Sequence, residues 1–297
     1  MQVLYFKKSN MKQIDYQFLN GKDISQVIAY ADDLAKKGIE DQLNAHQIYN
    51  SLVEINQIPN SYEHPYAWVR GGLRHKIFNL EKLFNWNMFY SSDSEQDKFI
   101  NSFIFKNIKN GFFVEIGAYD GVMGSNCLFF ERYLAWDGIA IEPSPKQFDL
   151  LKNNRKCKCI NKAISNKKEV IEFVDVIEGY TQMSGINKDF YSSTIDYLNQ
   201  DQRTKFNKIN IETSTFSEIV ENNFSIDYLS IDVEGCEKDI LESIDFNQYK
   251  VKVLSVENNK PKEIDLNSFL LKHGFMYIDN VGNDEVYIHK KNFQSQK

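Results

Sequence analysis

Apolar residues in this chain follow two rhythms. Over the first ninety residues they recur at helical spacing: Ile24, Val27, Ile28, Ala31, Leu34 and Ala35 predict one amphipathic helix, with Gly38 as its stop. Leu43, His46, Tyr49, Leu52 and Val53 form a second stripe that ends before Pro59, and Leu73, Ile77, Leu80, Leu83 and Phe84 predict a third helix after Gly71-Gly72. From about Phe103 the texture changes to short apolar runs separated by helical stretches, the pattern of an α/β sheet. Predicted strands are Phe112–Ile116, Gly138–Ile141, Cys157–Asn161, Val170–Val176, Tyr228–Asp232 and Val251–Val256. Helices are predicted over Ser125–Ala135, Pro145–Asn154 and Leu266–His273, with a closing antiparallel hairpin near Phe275–Asp279 and Glu285–His289. The polar stretch Gly179–Lys208 has no clear period and reads as an excursion beside the active site.

Composition narrows the class. Hydrophobic content of 42% and charged content of 26% are ordinary for a globular protein. A net charge of -6 disfavours a nucleic-acid substrate, which calls for a basic face. No apolar run is long enough for a membrane span, and the first residues reverse the order of a secretion signal. Cys127, Cys157, Cys159 and Cys236 are too scattered for a disulfide scaffold or a zinc site, so reduced thiols and a cytoplasmic setting are expected. His46, His64 and His75 lie in the helical first part and read as surface or core residues.

Chemistry concentrates where the predicted strands end. Phe112 to Ile116 runs into a turn of small residues, Gly117, Ala118 and Gly121, that carries Glu115 and Asp120. Small residues let a ligand approach the backbone. The negative charge would repel a pyrophosphate but suits a ligand with a cationic centre and free hydroxyls, such as S-adenosylmethionine (AdoMet). Glu142 ends the second strand, placed to accept both hydroxyls of a ribose, and Pro143 and Pro145 break the strand and start a helix. The first loop lacks the G-x-G-x-x-G pattern of a dinucleotide site, so a methyl donor is favoured over NAD. A third run, Ile226 to Glu237, delivers Asp232 and Glu234 to the same end of the sheet. Glu237 there reads as helix-start stabilisation.

These three segments, VEIGAYDG, GIAIEPSP and IDYLSIDVEGCEKDIL, in this order and spacing, resemble the FkbM family of AdoMet-dependent methyltransferases. Ser94 to Ile100, Asn161 to Ser165 and Asp284 to Tyr287 add to the likeness, which runs from about Ser91 to Lys290. The resemblance implies a Rossmann-like class I methyltransferase fold, a mostly parallel sheet with a terminal antiparallel hairpin, over residues 91–297. Residues 1–90 are then a small helical appendage. Their first two helices resemble a tetratricopeptide hairpin, but no second copy follows and a solenoid needs several. For the donor, the resemblance points to Glu115, Gly117, Asp120, Gly121 and Glu142. Ala118, Ser125, Ser144, Ala163 and Asp232 join them on the same grounds. The implied activity is methylation of hydroxyl groups, on sugars or natural products.

Transfer from a sulfonium to a sugar hydroxyl is a positioning problem plus the removal of one proton. Asp232 ends one strand and Glu257-Asn258 ends the next, similar to metal-dependent catechol-type O-methyltransferases. Two routes follow. Asp232, Glu257 and Asn258 hold Mg²⁺ or Mn²⁺, or Asp232 or Glu257 works as a general base. A third reading makes Asn258 and Asn259 ordinary turn residues. The competing function is an idle AdoMet-binding scaffold whose appendage recognises a partner, and a homodimer is among the assemblies such an appendage would serve. The acceptor, a small molecule or a glycan, is not named by any residue.

Overall fold

A computed structural model describes residues 24–54, 73, 76–80, 90–186 and 204–293. The chain divides into two compact units, Met1–Trp86 and Asn87–Lys297. In the first, helices Ile24–Leu34 and Ile39–Glu54 are the two anticipated from the stripes, and residues 76–80 are also helical. Val27, Ala31, Ala45, Ile48, Tyr49 and Ile77 are buried among them. Tyr49 Oη donates to Asp32 Oδ1 at 2.6 Å, and Lys76 Nζ reaches the same oxygen at 2.7 Å. The expectations for Pro59, His64, His75, Leu83 and Phe84 fall outside the described residues.

The second unit is built on a seven-stranded sheet. In chain order its strands are β1 (Phe112–Ile116), β2 (Asp137–Ile141), β3 (Lys158–Ile160), β8 (Ser225–Ile231), β9 (Lys250–Glu257), β10 (Phe275–Val281) and β11 (Asp284–His289). Across the sheet they run β10-β11-β9-β8-β1-β2-β3. β3, β2, β1, β8 and β9 are parallel neighbours, and β11 lies antiparallel to both β9 and β10. The parallel sheet closed by an antiparallel hairpin is thus present. Strand alternation sorts side chains to two covered faces. Val114, Ile116, Leu229, Ile231, Leu254 and Val256 meet Ile240, Leu241, Leu266 and Leu270 on one face. Phe113, Tyr228, Val253 and Val286 meet Phe129, Phe130, Leu134 and Trp136 on the other.

The strand predicted at Val170–Val176 exists as β5 (Val170–Glu178), but it leaves the main sheet. It joins a separate four-stranded sheet with β4 (Ala163–Ile164), β6 (Gly185–Ile186) and β7 (Lys205–Ser214) in the order β4-β7-β5-β6. β7 lies partly in the stretch read as an excursion, and its antiparallel register with β5 gives that strand its partner outside the main sheet. The alternation Ile209-Asn210-Ile211-Glu212-Thr213 was its signal. Residues 187–203 of that excursion fall outside the described residues.

Strand order reverses between β1 and β8, since β2 and β3 continue to one side and β9 to the other. A sheet splits its loops apart at such a switch, and a crevice opens beyond the carboxyl ends of those two strands.

Candidate active site

The loop after β1 is shaped by backbone contacts. The amides of Gly117 and Ala118 both donate to the Ile141 carbonyl at 3.0 Å, which ties the loop to the end of β2. Gly117 has φ 87°, and a Cβ there would stand 1.6 Å from the Asp232 carbonyl oxygen. Only glycine lets the β1 and β8 loops approach this closely. Asp120 Oδ1 accepts the amides of Val122 and Met123, each at 2.8 Å, and closes the next turn. Tyr119, between them, sits at φ 49°, a conformation that side chains other than glycine adopt at a cost.

Glu115 faces into the protein. Its Oε1 accepts from Ser125 Oγ at 2.8 Å and from the amides of Asn126 and Cys127 at 2.8 and 3.2 Å. Its Oε2 pairs with Arg155 Nη1 at 2.9 Å, and both side chains are buried. Arg155 Nε holds Glu131 Oε2 at 2.6 Å. Ser125, also expected at the donor, is the middle of this network and accepts from Arg155 Nη1 at 3.0 Å. Because the Asn126 and Cys127 amides are drawn to Glu115, the helix predicted from Ser125 begins at Leu128.

Glu142 stands at the end of β2 beside this loop. Its Oε2 accepts the Tyr119 amide at 2.9 Å and its Oε1 the Ser144 amide at 2.8 Å. Burial pushes its carboxyl up to about 7, with Asp175 and Asp120 adding repulsion. Ser144 caps the helix Pro145–Asn154 and donates to Asp175 Oδ1 of β5 at 2.6 Å. Tyr119 and Thr181 share a short hydrogen bond between their hydroxyls. These two links fasten the small sheet to the β1 and β2 loops. Ala163 opens β4, two residues after Asn161, whose amide donates to the Glu142 carbonyl at 2.7 Å.

Carboxylates crowd the other side of the crevice. Oxygens of Asp232, Glu234 and Glu257 lie within 4.8 Å of one another. Burial, together with Asp284, Glu234 and Glu237, holds the Asp232 carboxyl well above its usual range. Glu257 is raised in the same way by burial and by Asp232. Glu237 Oε1 accepts the amides of Gly235 and Val233 at 2.9 and 3.3 Å, shaping the turn in which Glu234 has φ 60°. A segment before β1 completes the rim: Ser91 Oγ donates to the Ser125 carbonyl at 2.8 Å, and Gln96 Nε2 to Asp284 Oδ1 at 3.1 Å.

A glycine-bearing loop, an acid at the end of β2 and acids at the ends of β8 and β9 meet at one switch point. Residues 115–277 match the profile of the methyltransferase FkbM domain. The chain belongs to the FkbM methyltransferase family. The sheet described above is accordingly the class I methyltransferase fold, and AdoMet is the methyl donor. Among solved structures, the chain is similar to a methyltransferase from Pyrococcus furiosus at 14% identity and TM-score 0.40, covering 76% of this chain and 98% of that one. It is similar to the methyltransferase FkbM from Methylobacillus flagellatus KT at 12% identity and TM-score 0.34, covering 90% of this chain and 60% of that one. No curated protein matches. No helix among the described residues is long and apolar enough to cross a membrane.

Within this FkbM methyltransferase, Gly117, Ala118, Asp120, Gly121, Glu142 and Asp232 come from the loops and strand ends that meet at the switch point. Asn258 behaves differently. Its Nδ2 donates to the Ile264 carbonyl at 3.1 Å and to Glu285 Oε1 at 2.6 Å, and its Oδ1 accepts the Lys260 amide at 3.2 Å. The amide braces the β9 turn, and Glu234 is the third side chain at the cluster. Sequence reasoning also missed Arg155 and the buried line Asn126–Ser230–Ser255–Tyr228 beneath the site. No local spacing announces either.

Proposed function

We propose that the protein transfers the methyl group of AdoMet to a hydroxyl of a sugar or glycan acceptor. The observation that carries this reading is the carboxylate pair Asp232 and Glu257 beside the Gly117 loop. Glu142 keeps lone pairs free beyond its two amide bonds and takes the ribose hydroxyls. Asp120 and its neighbours in the β1 loop face the methionine end, whose ammonium and sulfonium the acidic crevice attracts. Ser144 and Ala163 belong to the Glu142 side of the donor. Glu115 and Ser125 act as positioning residues, holding the loop from behind through Arg155.

In the transfer, the acceptor oxygen attacks the methyl carbon in line with sulfur. An O–CH₃ bond forms, the S–CH₃ bond breaks, and sulfur keeps the electron pair to give S-adenosylhomocysteine. Without a bound cation, the hydroxyl proton passes to the Asp232–Glu257 pair. Burial and mutual repulsion make these carboxylates better proton acceptors than exposed ones. All four cysteines are free, which supports a reducing, cytoplasmic setting.

The test is thermal shift followed by turnover. AdoMet raises the melting temperature of the wild-type protein, Glu142→Ala abolishes the rise, and labelled donor with a panel of nucleotide sugars reveals the acceptor. A wild-type protein that AdoMet does not stabilise would overturn the reading.

A further inference from the structure

We infer that Asp232, Glu234 and Glu257 form the seat of one hard divalent cation, Mg²⁺ or Mn²⁺, with Glu234 in the place that strand-end spacing assigns to Asn258. For its role the seat rests on the methyl-transfer reading; its existence stands on separate observations.

The first is convergence. The oxygens of the three side chains, one from each, lie within 4.8 Å of one another. Neighbouring oxygens of an octahedral shell stand roughly 3 Å apart when each is about 2.1 Å from Mg²⁺, so small side-chain rotations close the set. The second is an unmet demand. Glu257 Oε2 is buried without a hydrogen-bond partner among the described residues, in a residue only 6% exposed. A buried carboxylate oxygen with no donor is costly. Lys238 lines the same cleft as Glu257 but pairs with Glu242 at 3.7 Å. A cation between the three carboxylates removes both the repulsion and the orphaned charge.

The donor set selects the ion. Three carboxylates without histidine or cysteine suit Mg²⁺ or Mn²⁺ over zinc. Glu237 supports the seat from behind, since its bonds to the Val233 and Gly235 amides hold the backbone that presents Glu234. The cleft beside Glu257 is lined also by Gly235, Asn258 and Ile264. A hydroxyl that reaches a bound cation there loses its proton more readily.

The experiment titrates Mn²⁺ into the full-length protein without AdoMet and follows free Mn²⁺ by electron paramagnetic resonance. One site per chain, displaced by Mg²⁺, is expected. Glu234→Gln weakens it by at least about tenfold, whereas Glu178→Gln, an exposed carboxylate of β5, leaves it unchanged. Should Glu234→Gln fail to fold, Asp232→Asn takes its place. Absence of a Mn²⁺ site in the wild-type protein, or a site that both substitutions leave intact, overturns the inference. Mn²⁺ bound by a protein that AdoMet does not stabilise upholds the seat while refuting the donor reading. AdoMet binding without any Mn²⁺ site does the reverse.

Discussion

Glu142 holds its proton more tightly in the folded protein than in the unfolded chain, and that has two consequences of opposite sign. Its carboxyl moves from 4.5 up to about 7 on folding because burial outweighs the Ser144 and Tyr119 amides. The folded state therefore binds more protons across that window, and this group's contribution to stability falls as pH climbs through it. Ribose hydroxyls donate to the ionised carboxylate, so donor affinity moves the other way. We expect the AdoMet Kd to tighten by up to roughly tenfold per pH unit approaching pH 7 and to level off above it. Titration by calorimetry from mildly acid to mildly alkaline buffer, with chelator present so that no cation binds as pH changes, measures this. Glu142→Gln should flatten the profile. A wild-type affinity indifferent to pH would remove Glu142 from the donor's contacts. The acid's position was legible in the sequence, because a carboxylate ending an apolar run has little choice of place. Its burial was not, since the small sheet that helps cover it is assembled from residues up to Ser214. Glu115 shows the same limit more sharply: its guanidinium partner lies forty residues on, with no spacing rule to connect them.

Three elements meet at Arg155. It ends the helix Pro145–Asn154 and reaches Glu115 on β1 and Glu131 on the helix Leu128–Leu134, with its own side chain fully buried. Gly121 reinforces the junction, for a Cβ there would lie 2.7 Å from both Arg155 Cγ and Leu151 Cδ1. Removing the guanidinium strands two buried carboxylates. Arg155→Met should therefore cost about 3–5 kcal/mol, the range for breaking one side of a buried ion pair. Urea denaturation measures it, and Arg155→Lys should recover only part, because one ammonium cannot reproduce the fork that reaches both acids. AdoMet affinity should fall in both variants, as the β1 loop loses its brace. A stability loss under about 1 kcal/mol in Arg155→Met would show that the network adds little. At this scale the main strands and the helix Pro145–Asn154 were readable because apolar period, proline and cap agreed. The destination of β5 was not, since a strand's propensity says nothing about its partner.

At the scale of the whole molecule, the chain's two rhythms correspond to its two compact units, Met1–Trp86 and Asn87–Lys297. We propose that the second is an autonomous methyltransferase and that the first serves acceptor or partner recognition. The two cores flanking the main sheet draw every described member from Tyr90 onward. Every described residue assigned above to the donor, the cation seat or the supporting network also lies in that unit. A protein lacking residues 1–86 should therefore fold cooperatively and bind AdoMet within about threefold of the full-length Kd, since a domain with its own core folds alone. Circular dichroism melting and calorimetric titration provide the measurement, and turnover on small sugars against extended glycans then reports what the first unit adds. If the shortened protein aggregates or loses the donor, the helical unit is part of the fold that makes the site. Retained donor binding with selective loss of the larger acceptor would locate specificity outside the segments that resemble the family, where family membership predicts nothing.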